Sequence, residues 1–271
     1  MPELPDVSVY LERLTAKVVG HRLERVRIGH PFLLRSVTPP IGAVEGHIVS
    51  GVERLGKRIV FAFDGELFVV VHLMIAGRLR WLAPGKTTAP NALAFFEFDS
   101  GTLALTEAGK QRRASLHVVA GRAALAALDA GGIDVMTATR DAFAARLVAE
   151  NHTVKRALTD PRLFTGIGNA YSDEILHRAK LSPLALTSKV SDAEMARLHA
   201  ATRAVLDEWT QRLRAEAAGA FPVGVTAFRP EMAVHGRYRQ PCPVCGAPVQ
   251  RIVYAENECN YCARCQTSGQ L

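Results

Sequence analysis

The sequence predicts an α+β chain: an N-terminal helix with an antiparallel β-sandwich or barrel, then a helical segment, then a tail of short strands and cysteines. Three observations carry this reading. A helix-period run opens the chain, and strand-like runs separated by hairpin signals follow it. From about residue 140 the periodicity becomes helical. All five cysteines lie at or beyond position 242.

The first helix is expected over residues 6–19, with Asp6 as its cap after Pro5, Val7, Leu11, Leu14 and Val18 at helical spacing, and Gly20 as its stop. Strands are expected at Leu23–Ile28, Arg58–Phe63, Leu67–His72, 93–98 and 102–106, with Asp64-Gly65 and Ser100-Gly101 as hairpin turns. An alanine-rich helix is expected over 122–130, ended by Gly131-Gly132, and a linker over 134–139. Ser191 and Glu194 form a capping box, behind which Met195, Leu198, Val205 and Trp209 share one helical face. Residues 219–230 have no period and read as a loop. Domains are expected at 1–133, 140–230 and 236–271, with no internal repeat.

Of the 271 residues, 48% are hydrophobic, which supplies a sizeable core. The sequence has no apolar run long enough to span a membrane, and its first residues are neither basic nor continuously apolar. A cytoplasmic, nucleoid-associated location is the expectation, with no membrane partner. The formal net charge of +7 and pI near 9.4 favour a polyanionic partner such as nucleic acid over an acidic or neutral one.

Crowding of the cysteines at one end argues for a metal rather than a disulfide framework. Cys242 and Cys245 form one CxxC knuckle; after 16 residues Cys262 and Cys265 form a second. Two such turns at that separation present four thiolates to one tetrahedral zinc ion, and four protein ligands leave a closed, structural site. Cys259-Asn-Tyr-Cys262 is a competing CxxC that would leave Cys265 free. The pair Cys262 and Cys265 is preferred, because it forms the knuckle just before the polar tail. Such a ribbon is either a stabilising clip or a hairpin that lies on DNA.

The chain opens Met1-Pro2-Glu3-Leu4-Pro5, its middle holds Gly166-Ile167-Gly168-Asn169-Ala170-Tyr171, and its end is the four-cysteine pattern. Together, in this order, these motifs resemble the formamidopyrimidine-DNA glycosylase and endonuclease VIII family over the whole chain, closer to the formamidopyrimidine branch. The resemblance implies a β-sandwich domain, a helix–two-turn–helix DNA-binding domain and a zinc finger. It implies a bifunctional glycosylase and AP lyase that removes oxidised purines from damaged double-stranded DNA, as a monomer clamped around one lesion.

Under that resemblance Pro2 becomes the amino terminus once Met1 is removed. A terminal amine titrates near 8, far below a lysine, so a useful fraction is neutral and nucleophilic at pH 7. Glu3 is placed to pass protons to the sugar ring oxygen or the leaving base, although a first-turn acid also suits the helix dipole. Asp6 keeps a carboxylate where the family often has glutamate. Lys57, after Gly56, matches a hairpin lysine that holds a phosphate beside the lesion. The glycine-rich segment matches the turn of the DNA-binding helix pair, with Asn169 as a phosphate donor and Lys155 nearby. Glu174 matches a structural acid.

Three positions depart from the family pattern. Asn257 stands where an arginine usually grips phosphates, five residues before the third metal cysteine, which weakens the case for δ-elimination after β-elimination; Arg251 or Arg264 are the available substitutes. The base-flipping wedge falls on Ile75 by register, with Met74 one residue off. The void-filling loop retains Arg112 and Arg113, either of which suits an orphaned base, but Ala114 follows them and the family's phenylalanine is missing. These departures keep open the same chemistry on oxidised pyrimidines or other lesions. A non-catalytic lesion-binding relative is a further reading, against which Pro2, Glu3 and Lys57 argue together.

Overall fold

A computed structural model describes residues 1–109, 111–222, 228–254 and 257–269, with the backbone alone for Asn257. The chain forms two compact units. The first comprises Met1–Asp129 with Thr210–Val225, the second Ala130–Trp209 with Thr226–Leu271.

The first unit opens with α1 (Leu4–Val18). The helix begins two residues earlier than the sequence suggested, because Pro5 is tolerated in the first turn, where its missing N–H has no partner to lose. Glu3 is therefore the cap. Asp6 closes the turn from inside, its Oδ2 accepting from the Glu3 N–H at 2.9 Å. Val7, Tyr10, Leu14 and Val18 form the buried stripe.

Eight antiparallel strands follow: β1 (Leu23–Ile28), β2 (Val49–Leu55), β3 (Arg58–Phe63), β4 (Leu67–His72), β5 (Gly77–Leu82), β6 (Ala92–Phe98), β7 (Gly101–Glu107) and β8 (Ser115–Ala120). They make two four-stranded sheets, in orders β1-β6-β7-β5 and β2-β3-β4-β8. Ile59, Phe61, Phe63, Val69 and Val71 of one sheet share a core with Leu79, Ala94, Phe96, Phe98, Leu103 and Leu105 of the other, and Phe61 stacks on Phe96. This is the expected sandwich. Alternation along β3 and β4 puts Val60, Ala62, Phe68 and Val70 on the opposite face, where α2 (Arg122–Ala126) covers them with Leu125. That helix is shorter than expected and ends well before Gly131-Gly132. The unit also includes Phe221, buried and stacked on Trp81, from the segment that was expected to be a loop.

In the second unit, β9 (Ile133–Asp134) pairs in parallel with β10 (Phe164–Thr165). The stretch expected to be a linker is thus packed structure, with Val135 fully buried. The helices are α3 (Arg140–Leu147), α4 (Val154–Thr159), α5 (Asn169–Ala179) and α6 (Asp192–Ala217). Thr139 and Thr153 cap α3 and α4 through their hydroxyls. Ser191 and Glu194 make the capping box of α6: the Ser191 N–H donates to Glu194 Oε2 at 2.9 Å, and the Glu194 N–H donates back at 3.4 Å. Through Trp209 this helix belongs to the second unit, and from Thr210 to the first. A hairpin of β11 (Gln250–Tyr254) and β12 (Asn257–Tyr261), then α7 (Ala263–Gln266), completes the unit.

Candidate active site and metal centre

In the first unit, Pro2 and Glu3 are buried at the start of α1, and Lys57 lies in the β2–β3 turn beside Gly56, whose φ of 64° is the left-handed conformation such a tight turn needs. Burial lowers the proton affinity of the Met1 amine, one residue before Pro2. Glu3 opposes that effect, Arg78 adds to it, Asp6 opposes it, and Lys57 adds to it. Burial also holds the Lys57 ammonium below its ordinary range, with Glu3 pulling the other way. The structure thus gathers the amino terminus, Glu3, Asp6, Lys57 and Arg78 into one electrostatic neighbourhood. Two bases there protonate less readily than they would in water, which favours nucleophilic use of an amine.

Beside this group the β4–β5 turn carries Met74 and Ile75. Met74 has a φ of 53°, and Ile75 is 53% exposed. The Gly77 N–H closes the turn on the Leu73 carbonyl at 2.9 Å, and a Cβ at Gly77 would fall 2.2 Å from that same oxygen. Only glycine fits. His72, at the end of β4, is driven down to about 4 by burial, with Arg58, Lys57 and His117 adding repulsion. It is neutral at pH 7.

Arg112 is exposed and lines a cavity of about 580 Å³ with His30, Phe32, Arg35 and Gly109. Arg113 is fixed by its backbone instead: the buried Glu107 carboxylate accepts from the N–H groups of Arg113 and Ala114 at 3.0 Å.

In the second unit, Lys155 is turned inward. Its Nζ donates to Asp173 Oδ1 at 2.6 Å, Ser172 Oγ at 2.9 Å and the Asn169 carbonyl at 3.1 Å, which uses all three of its protons. The Asn169 amide donates to the Glu258 carbonyl at 2.8 Å. The Lys155 ammonium is thus spent inside the unit, tying α4 to α5, while the Asn169 amide uses one of its two N–H donors on Glu258. Asp173 also accepts from His235 Nδ1 at 2.7 Å and from the Asn260 N–H at 3.1 Å. Glu174 is structural, accepting from the N–H groups of Ala233, Val234 and His235 at 2.7–2.9 Å.

The sulfurs of Cys242, Cys245, Cys262 and Cys265 lie within 4.8 Å of one another, with Cys242 to Cys265 at 3.9 Å and Cys245 to Cys262 at 3.4 Å. Four sulfurs held about 2.3 Å from one tetrahedral zinc ion stand roughly 3.8 Å apart, so the set fits that ion. Cys259 is outside the cluster. Because the sulfur cluster is made by Cys242, Cys245, Cys262 and Cys265, the competing pairing through Cys259 is set aside; burial, with the Asp173 charge beside it, pushes the Cys259 thiol up to about 12. The His177 ring nitrogen Nε2 lies 3.3 Å from Cys242 Sγ, an orienting contact of the kind that metal thiolates use. Of the proposed substitutes for a phosphate-gripping arginine, Arg251 is paired with Glu258 at 3.3 Å and stacked on Tyr238, and Arg264 donates to the Cys245 carbonyl. The Asn257 side chain lies outside the described residues.

The residues 1–116 match the model of the formamidopyrimidine-DNA glycosylase N-terminal domain, and residues 133–215 that of the formamidopyrimidine-DNA glycosylase H2TH domain. A formamidopyrimidine-DNA glycosylase of Thermus thermophilus is 32% identical, over 99% of this chain and 100% of its own length. The crystal structure of the MutM (Fpg) protein from Thermus thermophilus superposes with a TM-score of 0.83 at 31% identity, covering 98% of this chain and 99% of that one. A Lactococcus lactis Fpg (MutM) bound to DNA containing Fapy-dG gives 0.86 at 21% identity, over 97% and 99% of the two chains, and shows the fold.

Proposed function

The chain belongs to the formamidopyrimidine-DNA glycosylase family, and on that premise we propose that it is a DNA glycosylase and AP lyase acting on oxidised purines in damaged double-stranded DNA. The observation that carries this reading is the buried grouping of the amino terminus with Glu3, Lys57 and Arg78.

With Met1 removed, the Pro2 nitrogen is a secondary amine in surroundings that disfavour its protonated form. Its lone pair attacks C1′ of the damaged nucleotide, the N-glycosidic bond breaks, and the base leaves with a proton. Glu3 delivers a proton to the ring oxygen O4′, the C1′–O4′ bond opens, and the nitrogen becomes an iminium. A secondary amine gives this cation without further protonation. The iminium draws electrons from the C2′–H bond as a base removes that proton, and the 3′ phosphate departs by β-elimination. Water then releases Pro2. Lys57, a desolvated cation when protonated, steadies a phosphate beside the lesion. Ile75, exposed on a closed turn and adjacent in sequence to Met74, fills the space that the extruded nucleotide leaves. Arg112 faces the orphaned base.

The four clustered cysteines hold one structural zinc ion, which supplies no chemistry to the reaction and fixes the ribbon. Lys155 and Asn169 shape the α4–α5 turn so that its peptide N–H groups meet the backbone of the DNA. The chain works as a monomer in the bacterial cytoplasm; no described helix is long and apolar enough to cross a membrane. A strand-nicking assay on duplexes carrying formamidopyrimidine, 8-oxoguanine or an oxidised pyrimidine tests the substrate class. Preference for the two purine lesions supports the reading, and preference for the pyrimidine overturns it.

A further inference from the structure

Arg78 is the second residue of β5, directly after the turn that carries Met74 and Ile75. An arginine in a strand usually faces water, as Arg80 does two residues on. Arg78 is instead only 9% exposed. Its Nη1 donates to the Gly77 carbonyl at 2.6 Å and reaches the Ile75 carbonyl at 3.5 Å, so it braces the turn from within. Its Nη2 is buried and has no hydrogen-bond partner among the described residues. A desolvated guanidinium donor left unmatched is costly, and such a cost is tolerated where a ligand completes the set. The same side chain acts electrostatically on the amino terminus and on Tyr10, whose hydroxyl accepts from the Leu79 N–H.

We propose that Arg78 is a nucleotide-contacting residue of this site: Nη1 sets the shape of the 73–77 turn, and Nη2 donates to an acceptor oxygen of the nucleotide held at the amino terminus. The arrangement joins the wedge turn and the attacking amine through one side chain, so that a nucleotide seated on Nη2 is aligned for attack. Arg78 also contributes charge. The amine at the chain start, that of Met1 in this structure, is faced by Glu3 at the cap of α1, by Asp6 within it, by Lys57 from the β2–β3 turn and by Arg78 from β5. Losing one of the two cations makes the amine easier to protonate.

The proposal rests on the imine reading above, and the test separates the two. Wild type, Arg78→Lys and Arg78→Gln are compared on a lesion duplex and on an abasic-site duplex, with thermal unfolding as a check that each variant folds. A charged hydrogen bond to the nucleotide predicts a rise in KM of about 10- to 100-fold in Arg78→Gln. Loss on both duplexes assigns the acceptor to the sugar-phosphate backbone, and loss on the lesion duplex alone assigns it to the base. Borohydride trapping in Arg78→Gln shifts to higher pH, whereas Arg78→Lys keeps the wild-type pH midpoint and has a raised KM. If Arg78→Gln retains the wild-type KM on both duplexes, the Arg78 proposal fails, whatever the pH midpoint does. If the wild type does not trap at all, the imine reading fails instead.

Discussion

The Lys155 ammonium lies 2.6 Å from Oδ1 of Asp173, whose side chain is fully buried. A lysine in this position reads from the sequence as a phosphate contact, yet its charge is neutralised inside the second unit. Lys155→Met is therefore expected to lower stability by about 2–4 kcal/mol, the cost of stranding one member of a buried pair, softened by the other donors to Asp173. It should weaken DNA binding without changing its salt dependence. Urea unfolding and binding at several salt concentrations check this. A salt slope lower by about one charge would show instead that Lys155 meets a phosphate.

Gly77→Ala puts a methyl group onto the Leu73 carbonyl, 2.2 Å away, with backbone on both sides. The turn must open, at a cost of about 1–3 kcal/mol. Because the strain falls on the segment that carries Ile75, base extrusion should suffer more than overall stability. Fluorescence of 2-aminopurine beside the lesion reports the extrusion step.

His72, held down to about 4 against an ordinary 6.5, links stability to pH. The unfolded chain binds a proton as pH falls through 6.5, while the folded chain resists until about 4. Stability contributed by neutral His72 is thus full above 6.5 and is lost on descending through that window, by up to about 3 kcal/mol. His72→Gln should flatten the loss between those two values in pH-dependent urea melts.

One zinc ion per chain is expected by metal analysis. Cys262→Ser should lose it and Cys259→Ser should keep it, since Cys259 lies outside the sulfur cluster. Chelation should abolish duplex binding while the first unit, reported by the stacked Trp81, stays folded. Normal duplex binding by the chelated protein would contradict the role given to the ribbon.

The central strands of one sheet were legible in the sequence because their apolar residues run almost without interruption, as in β3 and β4. The three strands that went unread, β2, β5 and β8, are all at sheet edges, where one side lacks a partner and polar residues break the alternation. The four metal cysteines follow from spacing alone. The inward turn of Lys155 does not, because it depends on Asp173 and on residues far along the chain meeting at one point. Arg78 was missed for a related reason: the pattern Gly-Arg-Leu-Arg-Trp presents two arginines at the same parity, and nothing local says that only one is exposed. An arginine directly after the glycine that closes a Leu-Met-Ile-Ala-Gly turn was the available signal.

In the proposed reaction the Pro2 nitrogen becomes covalently bound to C1′ of the damaged nucleotide. Borohydride reduction during turnover on an 8-oxoguanine duplex, followed by proteolysis and mass spectrometry of the cross-linked peptide, tests it directly. A DNA adduct is expected on the peptide that begins at Pro2, with Met1 absent. An adduct on Lys57 or another lysine, or an active enzyme that retains Met1, would contradict it.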